Sequence, residues 1–115
     1  MITLAHVRTY LNDFHAKLQV WSVVYRDDRG KNSQTLADLE IRPVDRDEII
    51  KALSPEDYCE GPLIDKLNNG REMWVFGKKL KHSEIYIKVT LGVHNTSVLC
   101  ISFHIAEYPL IYPFK

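Results

Sequence analysis

The sequence lacks the motifs that most directly indicate a particular binding site or reaction. Its 115 residues include only two cysteines and five glycines. Cys59 and Cys100 lie far apart, without a Cys-x-x-Cys or Cys/His spacing, so neither a zinc site nor a disulfide framework is predicted. The GxxxxGK and GxGxxG phosphate loops and the GxSxG and HExxH motifs are also missing. We therefore expect no cofactor and a reducing compartment such as the cytoplasm.

Long hydrophobic runs and an excess of charge of one sign are missing too. No run approaches the roughly 20 apolar residues of a membrane span, and the amino terminus does not read as a signal peptide, so we expect no membrane contact. Basic and acidic residues each number 15, which removes any global electrostatic argument for a polyanionic partner. Residues 71–115 nevertheless carry six basic and three acidic residues, enough for a site that binds a few phosphates.

Residues 1–115 are predicted to form a single domain, and the predicted helices lie in its first half. Residues 4–18 place apolar side chains at offsets of three, four and seven behind Thr3, a suitable N-cap, which predicts an amphipathic helix. A second helix is predicted to begin with Asp45 as its N-cap and to end near Leu53. Ser54 is then expected to cap a further short helical turn.

Other segments of the first half are less regular. Residues 19–25 are strand-like. A polar loop follows whose basic residues, Lys31 among them, could touch a phosphate; two aspartates intervene, and we favour a solvated loop tip. Residues 33–41 fit either a helix or a strand. Residues 62–67 are predicted to form one more helical turn, closed by a turn at 68–70.

The last third of the chain predicts three consecutive strands, because its apolar residues are β-branched or aromatic and are punctuated by glycine and asparagine. Between Ile85 and Leu91 the odd positions are apolar. The even positions are polar, so Tyr86 and Lys88 are expected to share the open face of a sheet whose other face is core.

The strand that follows is predicted to alternate in the same way. Leu99, Ile101 and Phe103 are expected on one face, and Cys100 on the other. A hairpin through residues 93–96 would then align the polar positions of the two strands. The predicted polar patch consists of Tyr86, Lys88, Ser102 and His104.

The end of the chain, residues 104–115, contains two prolines that preclude a regular helix or a central strand. It is also too apolar for a loose tail. We expect it to pack across the core.

The polar patch suits metal-independent RNA cleavage. That reaction needs a base for the 2′-hydroxyl, cations for the phosphorane charge and an acid for the leaving 5′-oxygen. His104 is placed to titrate near neutral pH, and Tyr86 and Lys88 share its face, so these three are the predicted catalytic residues. Aromatic rings can also stack on an unpaired base. The predicted phosphate-binding residues form a basic turn, whose alternative role is to protect a sheet edge; they are Lys78, Lys79, Lys81 and His82.

Four short motifs of the second half also occur in a consistent order: residues 53–58 (LSPEDY), 73–74 (MW), 84–89 (EIYIKV) and 100–103 (CISF). In these motifs the chain resembles the MqsR toxins, members of the RelE-like group of messenger-RNA interferases. The resemblance implies a small RelE-like α+β domain in which N-terminal helices pack on a mainly antiparallel sheet. It further implies a type II toxin that cleaves messenger RNA without a metal, a cognate antitoxin that binds DNA, and Tyr86 as the functional tyrosine.

Three positions depart from the pattern of that family. His104 replaces the lysine that follows the Ser-Phe pair, Glu60 falls near an expected lysine, and Val75 falls near an expected glutamine. A rival prediction from a different class stands beside the toxin: a non-catalytic domain that binds a protein partner through its sheet face or its apolar C-terminal tail.

Overall fold

Among the residues that the computed structural model describes, which are 1–27, 30–66, 71–93 and 95–115, the chain forms three α-helices, a 3-10 helix and five strands. The helices are α1 (Leu4–Leu18), α2 (Lys31–Leu39) and α3 (Pro43–Lys51), and the 3-10 helix covers Pro55–Asp57. The strands are β1 (Val24–Tyr25), β2 (Tyr58–Asp65), β3 (Arg71–Leu80), β4 (Ser83–Thr90) and β5 (Leu99–Ile105). The predicted α+β class is confirmed. None of the described helices is long and apolar enough to cross a membrane.

Helix α1 forms as its sequence predicts. The Thr3 hydroxyl accepts the backbone N–H of His6 at 3.3 Å, and the Thr3 N–H donates to His6 Nδ1 at 3.0 Å. These two reciprocal hydrogen bonds satisfy the backbone N–H groups of Thr3 and His6 at the start of the helix. The apolar stripe, of which Val7 and Phe14 are fully buried, then faces the sheet.

The predicted start of α3 is wrong by three residues. The helix begins at Pro43 with Arg42 as its N-cap, because proline in the first position loses no intrahelical hydrogen bond. Asp45 lies inside the first turn instead, where its carboxylate accepts the Arg42 N–H at 2.8 Å. The ambiguous segment 33–41 is helical over most of its length, within α2.

Two other predictions for the first half need correction. The strand-like segment 19–25 pairs only at β1, as a short parallel neighbour of β5. Residues 62–65 continue β2 rather than forming a helical turn, and register shifts on either side of Glu60 let this edge strand pass the Gly61–Pro62 step. The predicted turn at 68–70 lies outside the described residues.

The strands form one sheet in the order β1-β5-β4-β3-β2, antiparallel except for the β1–β5 pair. Helix α1 covers one face, where the Tyr10 ring stacks on Trp74 with the centroids 4.4 Å apart. Phe76 and Ile87 are fully buried on the same side. We call this side the core face, and the other side the open face.

A β-bulge in β5 changes the predicted alternation. Cys100 pairs with Val89 and Ser102 pairs with Lys88, so Ile101 is the extra residue. Cys100 therefore points into the core and is fully buried, whereas Ile101 joins the open face. Leu99, which pairs with Thr90, also lies on the side opposite to Phe103. The predicted assignment of all three residues is wrong, because a bulge reverses the side-chain alternation on one side of it.

The C-terminal tail, residues 106–115, packs against the sheet, but much of it crosses the open face, and only Phe114 of the tail packs against the predicted target, the core. It passes so close to Gly77 that a Cβ there would lie 2.5 Å from Tyr112 Oη and 2.7 Å from Leu110 Cδ1. The Glu84 carboxylate fixes the tail by accepting the Leu110 N–H at 3.2 Å and the Tyr112 O–H at 3.0 Å. The tail thus covers the part of the open face that lies over β3.

Candidate functional site

A cavity of about 300 Å³ lies on the open face between α2 and the C-terminal tail. Its volume is at the lower end of the roughly 300–1,000 Å³ range of small-molecule sites. Strands β4 and β5, helix α2 and the tail each contribute to its wall. The lining residues are Lys31, Asn32, Tyr86, Lys88, Ile101, Ser102, His104, Glu107 and Tyr108. We call it the open-face cavity.

The floor of the cavity is the predicted polar patch. In the antiparallel pair β4–β5, Tyr86 lies opposite His104 and Lys88 lies opposite Ser102. The Tyr86 and His104 rings stack with their centroids 5.2 Å apart and their planes 14° from parallel. The predicted adjacency of these four side chains is therefore confirmed, and it follows from strand alternation combined with the hairpin register.

His104 is oriented by its own backbone. Its Nδ1 lies 3.0 Å from the Ile105 carbonyl oxygen, which can only accept a hydrogen bond, so Nδ1 carries the proton. In the neutral ring Nε2 is then the unprotonated nitrogen, and no described residue bonds to it. Burial lowers the pKa of His104, and Lys31 and Lys88 lower it further, against the opposing effect of the Ile105 carbonyl. The neutral, proton-accepting form is thus favoured at neutral pH.

The pKa of Tyr86 is shifted in the opposite direction to that of His104. Burial raises its pKa to about 12, with further contributions from Glu60, Tyr108 and Cys59. Its hydroxyl therefore keeps its proton at neutral pH and can donate it, but it cannot serve as a base. The stacked pair combines a ready proton acceptor, His104, with a retained proton donor.

Helix α2 reaches the cavity because Asn32 bonds the edge of β5 beyond the end of β1. The buried Asn32 amide donates to the Ile101 carbonyl at 3.2 Å and to the Arg26 carbonyl at 2.7 Å, and its oxygen accepts the Phe103 N–H at 3.0 Å. The Asn32 side chain thus makes the hydrogen bonds to the β5 backbone that a neighbouring strand would otherwise make. The same anchor places Lys31, which we expected in a solvated loop, at the wall of the cavity.

The four predicted phosphate-binding residues are not among the residues that line the cavity. Lys78 pairs with the buried Ile85, which places it on the core-face side, and its ammonium lies 3.0 Å from Asp57 Oδ2. The Lys81 ammonium donates to the Leu39 carbonyl at 2.9 Å.

The other two residues of that set, Lys79 and His82, are exposed at the far end of the β3–β4 hairpin. Lys79 lies opposite Glu84, whose carboxylate is occupied by the tail. In place of this set, the structure supplies the cavity with Lys31 and Lys88 as cations. The sequence feature that could have placed Lys31 at the cavity is its position beside Asn32 at the start of an amphipathic segment.

The tail forms the remaining wall. Glu107 is an exposed carboxylate that is ion-paired with Lys31, and Tyr108 is 59% exposed beside it. Tyr108 also borders a second depression over Val75, which is fully buried beneath the tail. An aromatic ring with this exposure can stack on a planar ligand at the cavity mouth.

In the described ranges no group of three or more His, Cys, Asp or Glu side chains is arranged to hold a metal ion. Comparison with protein families, with curated proteins and with solved structures found no match to this chain.

Proposed function

We propose that this protein is a metal-independent endoribonuclease that cleaves messenger RNA at the open-face cavity. One observation carries the proposal: His104 presents an unprotonated Nε2 while its ring stacks on Tyr86, beside the cation Lys88. Two titratable groups whose pKa values are shifted apart, in one cavity, are a recurrent arrangement of a catalytic base and acid.

The chemistry assigns one role to each group. His104 Nε2 takes the proton of a ribose 2′-hydroxyl, and the 2′-oxygen attacks the adjacent phosphorus. Lys88 offsets the negative charge that builds on the phosphorane oxygens. Tyr86 gives its proton to the leaving 5′-oxygen, so the products are a 2′,3′-cyclic phosphate and a 5′-hydroxyl. Proton exchange with water then restores both side chains.

The proposal predicts a particular pH dependence of kcat/KM. Protonated His104 cannot accept a proton, so cleavage should rise with pH through its pKa, which lies below the ordinary value of 6.5, and should level off by neutral pH. Replacing Lys31 by glutamine removes a cation that disfavours imidazolium, so the inflection should move to higher pH. A rate that falls through this range would instead identify His104 as the acid.

The hydroxyl of Tyr86 can be tested separately from its ring. Tyr86→Phe keeps the stack on His104 but removes the proton donor, and we expect cleavage to slow by about 100-fold or more. Tyr108→Phe is the matched control, because only its ring is assigned a role, and it should cleave like the parent. Single-turnover rates on one RNA measure both. Equal rates for Tyr86→Phe and the parent would remove Tyr86 from the mechanism.

The biological part of the proposal is a toxin that acts in the cytoplasm and is neutralised by a cognate antitoxin. It is supported by the resemblance of residues 53–58, 84–89 and 100–103 to the MqsR toxins within the RelE-like group. The rival is a non-catalytic domain that binds a protein partner. The two differ in one assay, incubation of the purified protein with a long RNA in EDTA, since only the endoribonuclease produces discrete cuts.

A further inference from the structure

An ion pair joins two walls of the open-face cavity, α2 and the C-terminal tail. Lys31 stands on α2 and Glu107 on the C-terminal tail, and their side chains bond although they are 55% and 59% exposed. Ion pairs of this exposure contribute only about 0–1 kcal/mol, because water and salt screen them. The contact is therefore weak enough for another anion to replace Glu107.

The surroundings of this pair favour a phosphate as the replacement. Glu107 is the only carboxylate among the described residues that line the cavity. The cations among them are Lys31 and Lys88. Both lysines lower the pKa of His104, so an anion held at Lys31 lies within electrostatic range of the imidazole. An RNA phosphodiester accepts from an ammonium as a carboxylate does, and it carries the same single negative charge, so it can take the place of Glu107 at Lys31.

The backbone at Glu107 allows an exchange without release of the tail. On one side, the Ala106 N–H donates to the Glu84 carbonyl at 2.8 Å. On the other side, the Leu110 N–H donates to the Glu84 carboxylate at 3.2 Å. Residue 107 lies between these two fixed points, so a change of side-chain rotamer is sufficient to move its carboxylate away from Lys31.

We propose that Glu107 is an internal ligand of Lys31 that a substrate phosphate displaces, so that Lys31 binds RNA phosphate and Glu107 competes with it. This rests on the proposed function, and it names a phosphate-binding residue and a competing anion within that site. Substrate entry is then an anion exchange at the mouth of the cavity, and the affinity for RNA is lowered by the chain's own carboxylate.

The test uses adenosine 3′-monophosphate, which has no scissile phosphodiester, so that binding is measured without cleavage. Calorimetric titration should show Glu107→Gln binding the nucleotide about two- to fivefold more tightly than the parent. Lys31→Gln should weaken binding, and adding Glu107→Gln to it should give a smaller gain. Glu56→Gln, which makes the same charge change at an exposed position of the 3-10 helix, should leave the affinity unchanged.

Several results would overturn the exchange. They are an unchanged or lower affinity of Glu107→Gln, an equal gain without Lys31, an equal gain from Glu56→Gln, or no binding by parent and variant alike. Its failure is distinguishable from failure of the proposed function. A tighter-binding Glu107→Gln variant in a protein that cuts no RNA supports the exchange alone, whereas RNA cleavage without any gain supports the endoribonuclease alone.

Discussion

His104→Ala is expected to reduce RNA cleavage about 10²- to 10⁴-fold, the usual contribution of a general base. The effect should lie in kcat, because alanine leaves both cavity lysines in place and removes the ring that accepts the 2′-hydroxyl proton and stacks on Tyr86. Since His104 is half-buried at the end of β5 and, among the residues that the structure describes, its side chain bonds only its neighbour's carbonyl, the fold should survive. Induced expression of the parent, but not of the variant, should arrest growth.

The matched control for this substitution is His82→Ala. His82 is exposed at the β3–β4 turn and was predicted to bind phosphate, yet it does not line the cavity. The His82→Ala variant should cleave RNA at nearly the parental rate. Added imidazole should partly restore the His104→Ala variant, since it can enter the vacated space and take the proton. If His104→Ala cleaves as fast as the parent, His104 is not the base.

Asn32→Asp is expected to have the largest effect on stability. An aspartate at this buried position has no donor for the Arg26 and Ile101 carbonyls, and it directs negative charge at both. Each buried polar group left unpaired costs about 1–3 kcal/mol, so we expect the free energy of unfolding to fall by roughly 3 kcal/mol. Urea unfolding followed by circular dichroism measures this loss.

Ser33→Asp is the control for Asn32→Asp. It makes the same charge change one residue further along α2, at an exposed position, and it should alter stability by less than about 0.5 kcal/mol. The Asn32 variant should also lose cleavage activity beyond its loss of stability, because α2 then no longer holds Lys31 at the cavity. An unchanged urea midpoint would show that Asn32 does not anchor α2.

The floor of the cavity could be predicted from sequence because it depends on local periodicity. Alternation across β4 placed Tyr86 and Lys88 together, and one hairpin then brought His104 beside Tyr86. The bulge at Ile101 was missed because nothing in the local pattern distinguishes an extra residue from the next alternating one. Its effect is confined to residues that precede Ser102, Leu99 among them, so the predicted adjacency of the four patch residues is preserved.

The walls of the cavity could not be predicted, since they depend on contacts between distant residues. Helix α2 is short, and its place is set by Asn32 bonding β5, a contact across about seventy residues of chain. The path of the tail is set by Gly77 and Glu84, which give no local sign of this role. The local pattern therefore predicts a solvated Lys31, and it contains no sign that Glu107 lies at the cavity.

The most direct test of the central claim is the cleavage of one defined single-stranded RNA by the purified protein in EDTA, with mapping of both new ends. We expect discrete cuts that leave a 2′,3′-cyclic phosphate and a 5′-hydroxyl. Replacing the ribose at the cut position by 2′-deoxyribose should abolish that cut alone. Intact RNA, or cuts that persist at the 2′-deoxy position, would contradict the central claim.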